Sequence, residues 1–332
     1  MARQYLLSID GGGVRGVIPA MALAKLEETT RRLTRDIFSF VAGTSTGAII
    51  AALVAAGVPA ARILSLYEER AKEIFPRRPW NTLKRVVFGS MYSIRKLHDV
   101  LAEELGAAKD WRLNDAGLHL LITAKRVPDG MPWYFVRDTE LNSGCTGRLR
   151  LADCVTASAA GPTYFPPWSI DPPVHVPDYC GPIGHLVDGG VGVTGNPVYQ
   201  ACVEAFDYTV GYEPSQTTTV SLGTGRFISD SSPTWIGSWL EWVLRQLLES
   251  PGEQQTQITW RRYPEMILYR IDTELKQDIR LDDARSVGRL KEYGQRLADQ
   301  IDWDAILAGT DTRFRIGPHK TLWMQYKKES AP

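Results

Sequence analysis

The chain has 332 residues, 44% hydrophobic and 23% charged, with 38 basic side chains balanced by 38 acidic ones. A chain of that length can bury a large core without disulfides or a structural metal, and it suits one α/β domain over residues 1–332. The zero formal net charge excludes the strongly basic balance by which a nucleic-acid polymer is held, though not a local basic patch.

Tyr5-Leu6-Leu7-Ser8-Ile9 is a short apolar run that stops at Asp10 and three glycines, which reads as a buried strand entering a Gly-rich turn. Residues 18–33 carry Met21, Leu23, Leu26 and Leu33 among charges, a helical pattern. A second buried strand at residues 37–41 runs to Gly43, and a helix follows over residues 46–56 with Gly57 as its stop. Another helix is predicted over residues 60–73. Later strands are predicted at residues 118–126, 133–136, 217–222 and 265–271. This rhythm is that of a mostly parallel sheet with helices on both faces. Residues 75–96 and 158–195 break the rhythm with Pro, Gly, Arg and aromatic residues. Long loops of that kind are often functional.

Cys145, Cys154, Cys180 and Cys202 form no C-x-x-C pair and read as reduced or buried thiols, so neither metal nor cofactor is expected. The N-terminal residues show no apolar leader, and the most apolar stretch, residues 48–57, is far short of the ~20 needed to span a bilayer. A cytoplasmic location is the resulting expectation.

Three motifs carry chemistry. Gly43-Thr44-Ser45-Thr46-Gly47 is a G-x-S-x-G between a strand and a helix, the context of a nucleophile elbow. A sharp turn there exposes the Ser45 hydroxyl, and Gly43 and Gly47 remove side chains that would collide. Without further support the same pattern is a capped strand-to-helix turn. Asp10-Gly11-Gly12-Gly13-Val14-Arg15-Gly16 can aim several backbone N–H groups at one point, as a phosphate cradle or an oxyanion hole. Gly11, Gly13 and Gly16 match G-x-G-x-x-G, but the next strand leads into Ser45 with no acidic residue at its end, and no Gly-Lys-Ser/Thr follows. The oxyanion hole is the better reading beside Ser45. Arg15 either steadies this loop or attracts anionic head groups, the structural role coming first. Asp188-Gly189-Gly190 follows Leu186-Val187, which places Asp188 at a strand end; alone, Asp-Gly is a common turn.

Together with Ala157-Ser158-Ala159-Ala160-Gly161-Pro162-Thr163-Tyr164-Phe165 and Ser221-Leu222-Gly223-Thr224-Gly225, these motifs resemble, in order, those of the patatin-like phospholipase family. The resemblance covers about residues 4–225; residues 230–332 match no family motif and are expected to pack on that part as lid or acyl-groove helices. It implies a three-layer patatin-like α/β fold. It also implies a Ser–Asp dyad, with Ser45 as nucleophile, Asp188 as general base, and the N–H groups of Gly11, Gly12 and Gly13 as oxyanion hole. Gly43, Gly47, Gly189 and Arg15 support that site. The implied activity is release of fatty acid from phospholipids or other acyl esters without metal or calcium.

Residue chemistry agrees with this. A hydroxyl needs a neighbouring base, and a desolvated carboxylate bonded to it can serve. A Ser–His–Asp triad would need one of His98, His119, His175, His185 or His319, and none sits in a typical context. For the lipid, Trp235, Trp239 and Trp242 share one helix face, either a core helix, an acyl-chain wall or a peripheral membrane contact. Residues 80–92 place Trp80, Val86, Val87, Phe88, Met91 and Tyr92 beside Arg77, Arg78, Lys84 and Arg85, which suits anionic head groups or an ordinary solvated insertion. Three other readings stay open: a general carboxylesterase or transacylase, a phospholipase effector switched on by a cyclic nucleotide in phage defence, and a binding protein with a relic site. No residue in the sequence marks a nucleotide pocket.

Overall fold

The structure, a computed structural model, describes residues 3–76, 89–141, 146–170, 183–228, 232–234, 238, 239, 242 and 252–317. The apolar run at residues 5–9 forms β1 (Gln4–Ile9), and α1 (Val17–Thr30) follows the glycine loop. Next come β2 (Phe40–Thr44), α2 (Thr46–Ala55), α3 (Ala60–Ile74) and α4 (Ile94–Leu105). The middle of the chain forms β3 (His119–Arg126), β4 (Pro132–Val136), α5 (Leu151–Ser158), β5 (Trp168–Ser169) and β6 (His185–Asp188). The remainder forms α6 (Val198–Tyr208), β7 (Thr217–Leu222), α7 (Gly252–Arg262), β8 (Ile267–Ile271), α8 (Val287–Ala298) and α9 (Trp303–Ala308).

The strands join in one sheet of order β5-β6-β3-β2-β1-β7-β8, with β4 also on β3. The run from β3 through β2, β1 and β7 to β8 is parallel, and the pairs β3–β4, β3–β6 and β5–β6 are antiparallel. Alternation along each strand builds two cores, because successive side chains point to opposite faces. Leu7, Ile9, Val41, Leu120, Ile122, Val220 and Leu222 face one cluster, which α1, α2, α3, α4, α5 and α8 complete. Leu6, Phe40, Ala42, Leu121 and Leu268 face the other, closed by Val198, Ala201, Cys202 and Ala205 of α6 with Tyr263 and Met266. The result is helices, sheet and helices in three layers, as expected. Every residue of α2 is buried, which is why its sequence is apolar all round and not amphipathic.

Several elements depart from the sequence reading. The helix expected over residues 18–33 ends at Thr30, where Arg31 takes the left-handed φ of 57° and closes it. Helix α4 begins inside the stretch read as an interruption. Its buried Ile94, Leu97, Val100, Leu101 and Leu105 have helical spacing, but the Pro- and Arg-rich residues before it masked that signal. Cys154 and Cys202 are buried free thiols; Cys145 and Cys180 lie outside the described residues.

A fully buried Asn196 ties the second core to the sheet. Its Oδ1 accepts from Val198 N–H at 3.0 Å, Ser8 Oγ at 3.3 Å and Ser221 Oγ at 3.4 Å. Its amide donates to the Gly252 carbonyl at 3.0 Å and Thr256 Oγ1 at 3.2 Å. Asn196→Ala strands these groups in the interior, so urea unfolding is expected to show a loss of about 2–3 kcal/mol. A change under about 0.5 kcal/mol would contradict the role assigned to this side chain.

Candidate active site

One edge of β3 holds β4. On its other edge β2 pairs as far as Thr44↔Thr123, and the oppositely directed β6 takes over at the next rung with Asp188↔Ala124. The two strands meet end to end, so Ser45, the residue after Thr44, arrives beside Asp188. Ser45 has φ 54° and ψ −119°, a conformation that costs a non-glycine residue about 1–3 kcal/mol and makes the sharp turn into α2. Its N–H donates to Ser158 Oγ at 2.9 Å. Gly47 passes so close to the Ile9 carbonyl that a Cβ there would collide with it. Gly43 packs in the same way on Gly47, and Gly189 on the Thr123 side chain. The Asp188 carboxylate accepts from Gly190 N–H at 2.7 Å, and the Ser45 hydroxyl is near enough to favour its charged form. Burial pushes the carboxyl up to about 6 from an ordinary 3.8, and the Ser45 hydroxyl and the Gly190 N–H hold it lower than burial alone would.

The glycine loop lies alongside. Asp10 N–H donates to the Leu222 carbonyl at 3.0 Å and Val14 N–H to the Leu281 carbonyl at 2.8 Å, which suspends the loop between two anchors. Gly11 N–H donates to the Gly195 carbonyl at 2.9 Å, because the chain beyond Asp188 returns past it. The three donors expected from the sequence therefore narrow to two: among the described residues, the amides of Gly12 and Gly13 have no hydrogen-bond partner. Arg15 is 2% exposed, so its side chain belongs to the interior and does not reach head groups. The loop is pinned from below by Arg270 of β8, whose guanidinium grips Asp10 with bonds of 2.9 and 2.6 Å. Arg270 also donates to Ser221 Oγ at 2.9 Å and Asp272 Oδ2 at 3.1 Å. Burial raises the Asp10 carboxyl against the pull of this guanidinium.

A cleft with about 820 Å³ of empty space, its open mouth included, carries Ser45, Asp188 and Gly11–Gly13 on one wall. Most of the rest is apolar, with Ile49, Leu66, Ile74, Phe75, Leu97 and Phe165. Phe75 and Phe165 of this lining pack with Tyr92 ring to ring at 5.3 to 5.9 Å. Such a site suits a long apolar group ending in one polar reacting centre. Among the described residues no histidine lines the cleft. His185 is exposed and bonds Ser169 Oγ at 2.6 Å; His98 lies against Asp153 and Trp168; His119 stacks on Phe40. His175 and His319 lie outside the described residues.

A family model described as patatin-like phospholipase matches residues 7–201, more than half of the chain. The chain belongs to the patatin-like phospholipase family. A protein of Escherichia coli named cGAMP-activated phospholipase is 30% identical over 241 residues, 69% of this chain and 64% of that one. Patatin-like protein 2 of Oryza sativa subsp. indica is 33% identical over 225 residues, 62% of this chain and 53% of its own length. The matched part of this chain thus spans between about half and just under two thirds of these relatives. Among solved structures, VipD from Legionella pneumophila aligns with 90% of this chain and 67% of its own at 14% identity and a TM-score of 0.41.

Ser158, Tyr67, Leu281 and Arg270 escaped the sequence reading. Ser158 had a visible signal, since it stands in the block at residues 157–165 that also supplies the Ala160 carbonyl to Asp188 N–H at 3.1 Å. Tyr67, 2.5 Å from Thr46 Oγ1, looks in sequence like any core tyrosine. Of the tryptophan face, Trp239 and Trp242 are 49% and 43% exposed with ring centroids 5.7 Å apart, so that surface is not core; Trp235 lies outside the described residues. So do Trp80, Val86, Val87, Phe88 and the four basic residues beside them, while Met91 and Tyr92 pack into the interior.

Because the folded Asp188 carboxyl titrates near 6 and the unfolded one near 3.8, the native state holds its proton more tightly. Its contribution to stability is full below about pH 4 and is lost as pH rises through 6, a span on the order of 3 kcal/mol. Asp188→Asn keeps an acceptor for Gly190 N–H without the buried charge. We expect this variant to be more stable than the parent at pH 8, with the gap closing at pH 4, in paired urea titrations. An equal gap at both pH values would count against a raised Asp188.

Proposed function

We propose that this protein is a lipid acyl hydrolase that works through a Ser45–Asp188 dyad. The observation that carries this is a serine hydroxyl beside a buried carboxylate in one cleft, next to two glycine amides unengaged among the described residues. Membership of the patatin-like phospholipase family supports it.

An acyl chain lies along Ile49, Leu66, Ile74 and Phe75, with its ester carbonyl at Ser45. Ser45 Oγ attacks the carbonyl carbon while its proton passes to Asp188. The oxygen that gains charge is held by the N–H groups of Gly12 and Gly13, with Gly11 stiffening the loop through Gly195. Collapse expels the alcohol, which takes the proton back from Asp188 and leaves an ester on Ser45. Water then gives a proton to Asp188 and attacks that ester; Ser45 Oγ leaves, takes the proton back from Asp188, and the fatty acid is freed. Burial suits the carboxylate to this work, since a value near 6 makes it a stronger base than an exposed aspartate while leaving it ionised at neutral pH.

The finer substrate class is phospholipase A, lysophospholipase or esterase, with lipid as partner. Contact with a membrane surface is supported by exposed Trp239 and Trp242; among the described residues no helix is long and apolar enough to cross a membrane. A second reading, activation by a cyclic nucleotide, is favoured by the relative named for that property.

A fluorophosphonate probe tests the central reading. It should label the parent and leave Ser45→Ala unlabelled, with the labelling rate falling as pH drops below about 6. Asp188→Asn should cut turnover of a phospholipid or long-chain ester by on the order of 10²–10⁴, while His185→Ala leaves it unchanged. Loss of activity in His185→Ala with activity retained in Asp188→Asn would overturn the dyad. Equal turnover of acetyl and long-chain esters would favour a general carboxylesterase.

A further inference from the structure

A second pocket opens at the opposite end of the sheet, where β1, β2 and β3 begin. It holds about 830 Å³ of empty space, its open mouth included. Gln4, Ser39 and His119 stand at those strand starts, and Arg35, Asp36, Arg137 and Tyr212 form the walls. Ser39 and Ser45 lie six positions apart at the two ends of β2, so roughly 20 Å at about 3.3 Å per residue separates this pocket from the catalytic cleft.

Among the described residues its two arginines have no ion-pair partner. Arg35 and Arg137 are each half-buried, and neither guanidinium makes an ion pair or a hydrogen bond among the described residues. Arg70 and Arg270, half-buried and buried, are by contrast paired with carboxylates. Asp36, the acid in the lining, is exposed and pairs with neither. His119 adds no further charge near neutral pH, because burial and the nearby Arg137 push its imidazole down. The ring is fixed by stacking on Phe40 at 6.0 Å and by the edge of Tyr212 at 5.7 Å. Ser39 Oγ bonds Gln4 Oε1 at 3.0 Å, which gives this floor a fixed polar surface.

Two guanidiniums that share a recess repel each other, and the recess weakens their hydration. An anion placed between them relieves both costs. The planar fork of arginine matches the oxygens of a phosphoryl group better than a single carboxylate or halide. Val210 is the large apolar side chain exposed in the lining, so the mouth offers little purchase to a bilayer. We propose that Arg35 and Arg137 form a second site on this protein, one that binds the phosphoryl group of a soluble phosphorylated small molecule. The site is independent of the reaction at Ser45, and its ligand would act on the sheet from the end away from the cleft.

Calorimetric titration of the full chain with inorganic phosphate and with adenosine 5′-monophosphate, at matched ionic strength, tests this. At least one probe should bind saturably. Arg35→Gln and Arg137→Gln should each weaken that binding by about tenfold or more, the loss of one charge-assisted contact. Ser45→Ala should bind as the parent does, which separates failure here from failure of the hydrolase reading. Both arginines are half-exposed, so both variants should keep the parent melting temperature; if one unfolds, the other decides. Absence of saturable binding by either probe, or binding that neither variant weakens, would overturn the proposal. So would Arg35-dependent binding to phosphatidic acid vesicles without binding of the soluble probes.

Discussion

Strand β3 is longer than β2, and the rungs that β2 leaves open on their shared edge are taken by β6 from the other direction. Thr44 and Asp188 sit on consecutive rungs of one strand and are held there by backbone pairing. Side chains then lock the junction: Thr44 Oγ1 lies 2.7 Å from Thr123 Oγ1 and donates to the Thr194 carbonyl at 2.6 Å. The loop that leaves Asp188 is clipped back by Thr194 Oγ1 on the Gly189 carbonyl. Such a frame can hold Ser45 at a positive φ because each neighbour is already fixed. It also places a buried carboxylate, 5% exposed, at the inner wall of the cleft. The strained turn and the raised carboxyl both follow from one arrangement of backbone.

Two buried aspartates flank the glycine loop, and their surroundings divide their roles. Asp10 has a bidentate guanidinium partner and serves to hold the loop. Asp188 has backbone and hydroxyl partners, and no cation contributes to its shift. A cation beside Asp188 would stabilise the carboxylate and weaken it as a base. Keeping Arg270 on the far side of the loop leaves Asp188 basic. The molecule carries this contrast at a cost in stability, as active sites commonly do.

Much of the fold was legible in local pattern. The apolar run at residues 5–9 and the helix behind Ser45 appear within one residue of their expected bounds, while the strand expected at residues 37–41 begins three residues later, at Phe40, and runs to Thr44. Helix α8 was missed although Val287, Leu290, Tyr293, Gly294 and Leu297 are buried at helical spacing, because no motif directed attention there. The Gly11 amide was assigned to the oxyanion hole because sequence shows which amides are unobstructed and not which are already bonded. Its partner, Gly195, is 184 residues away, by subtraction of the two numbers.

The sequence by itself determined the three layers, the family and the residues around which a site forms. Period-two alternation, strand-to-helix glycine turns and ordered motifs are local properties, and local sterics enforce them. Tertiary structure alone decided the rest. It made Asp188 a neighbour of Ser45, reduced the free amides among the described residues to Gly12 and Gly13, linked Arg270 to Asp10 across 260 positions, and brought Arg35 and Arg137 into one pocket with no ion pair among the described residues. Each of these depends on which distant groups share a partner or a dielectric environment. That competition exists only once the chain has folded, so no spacing in the sequence records it.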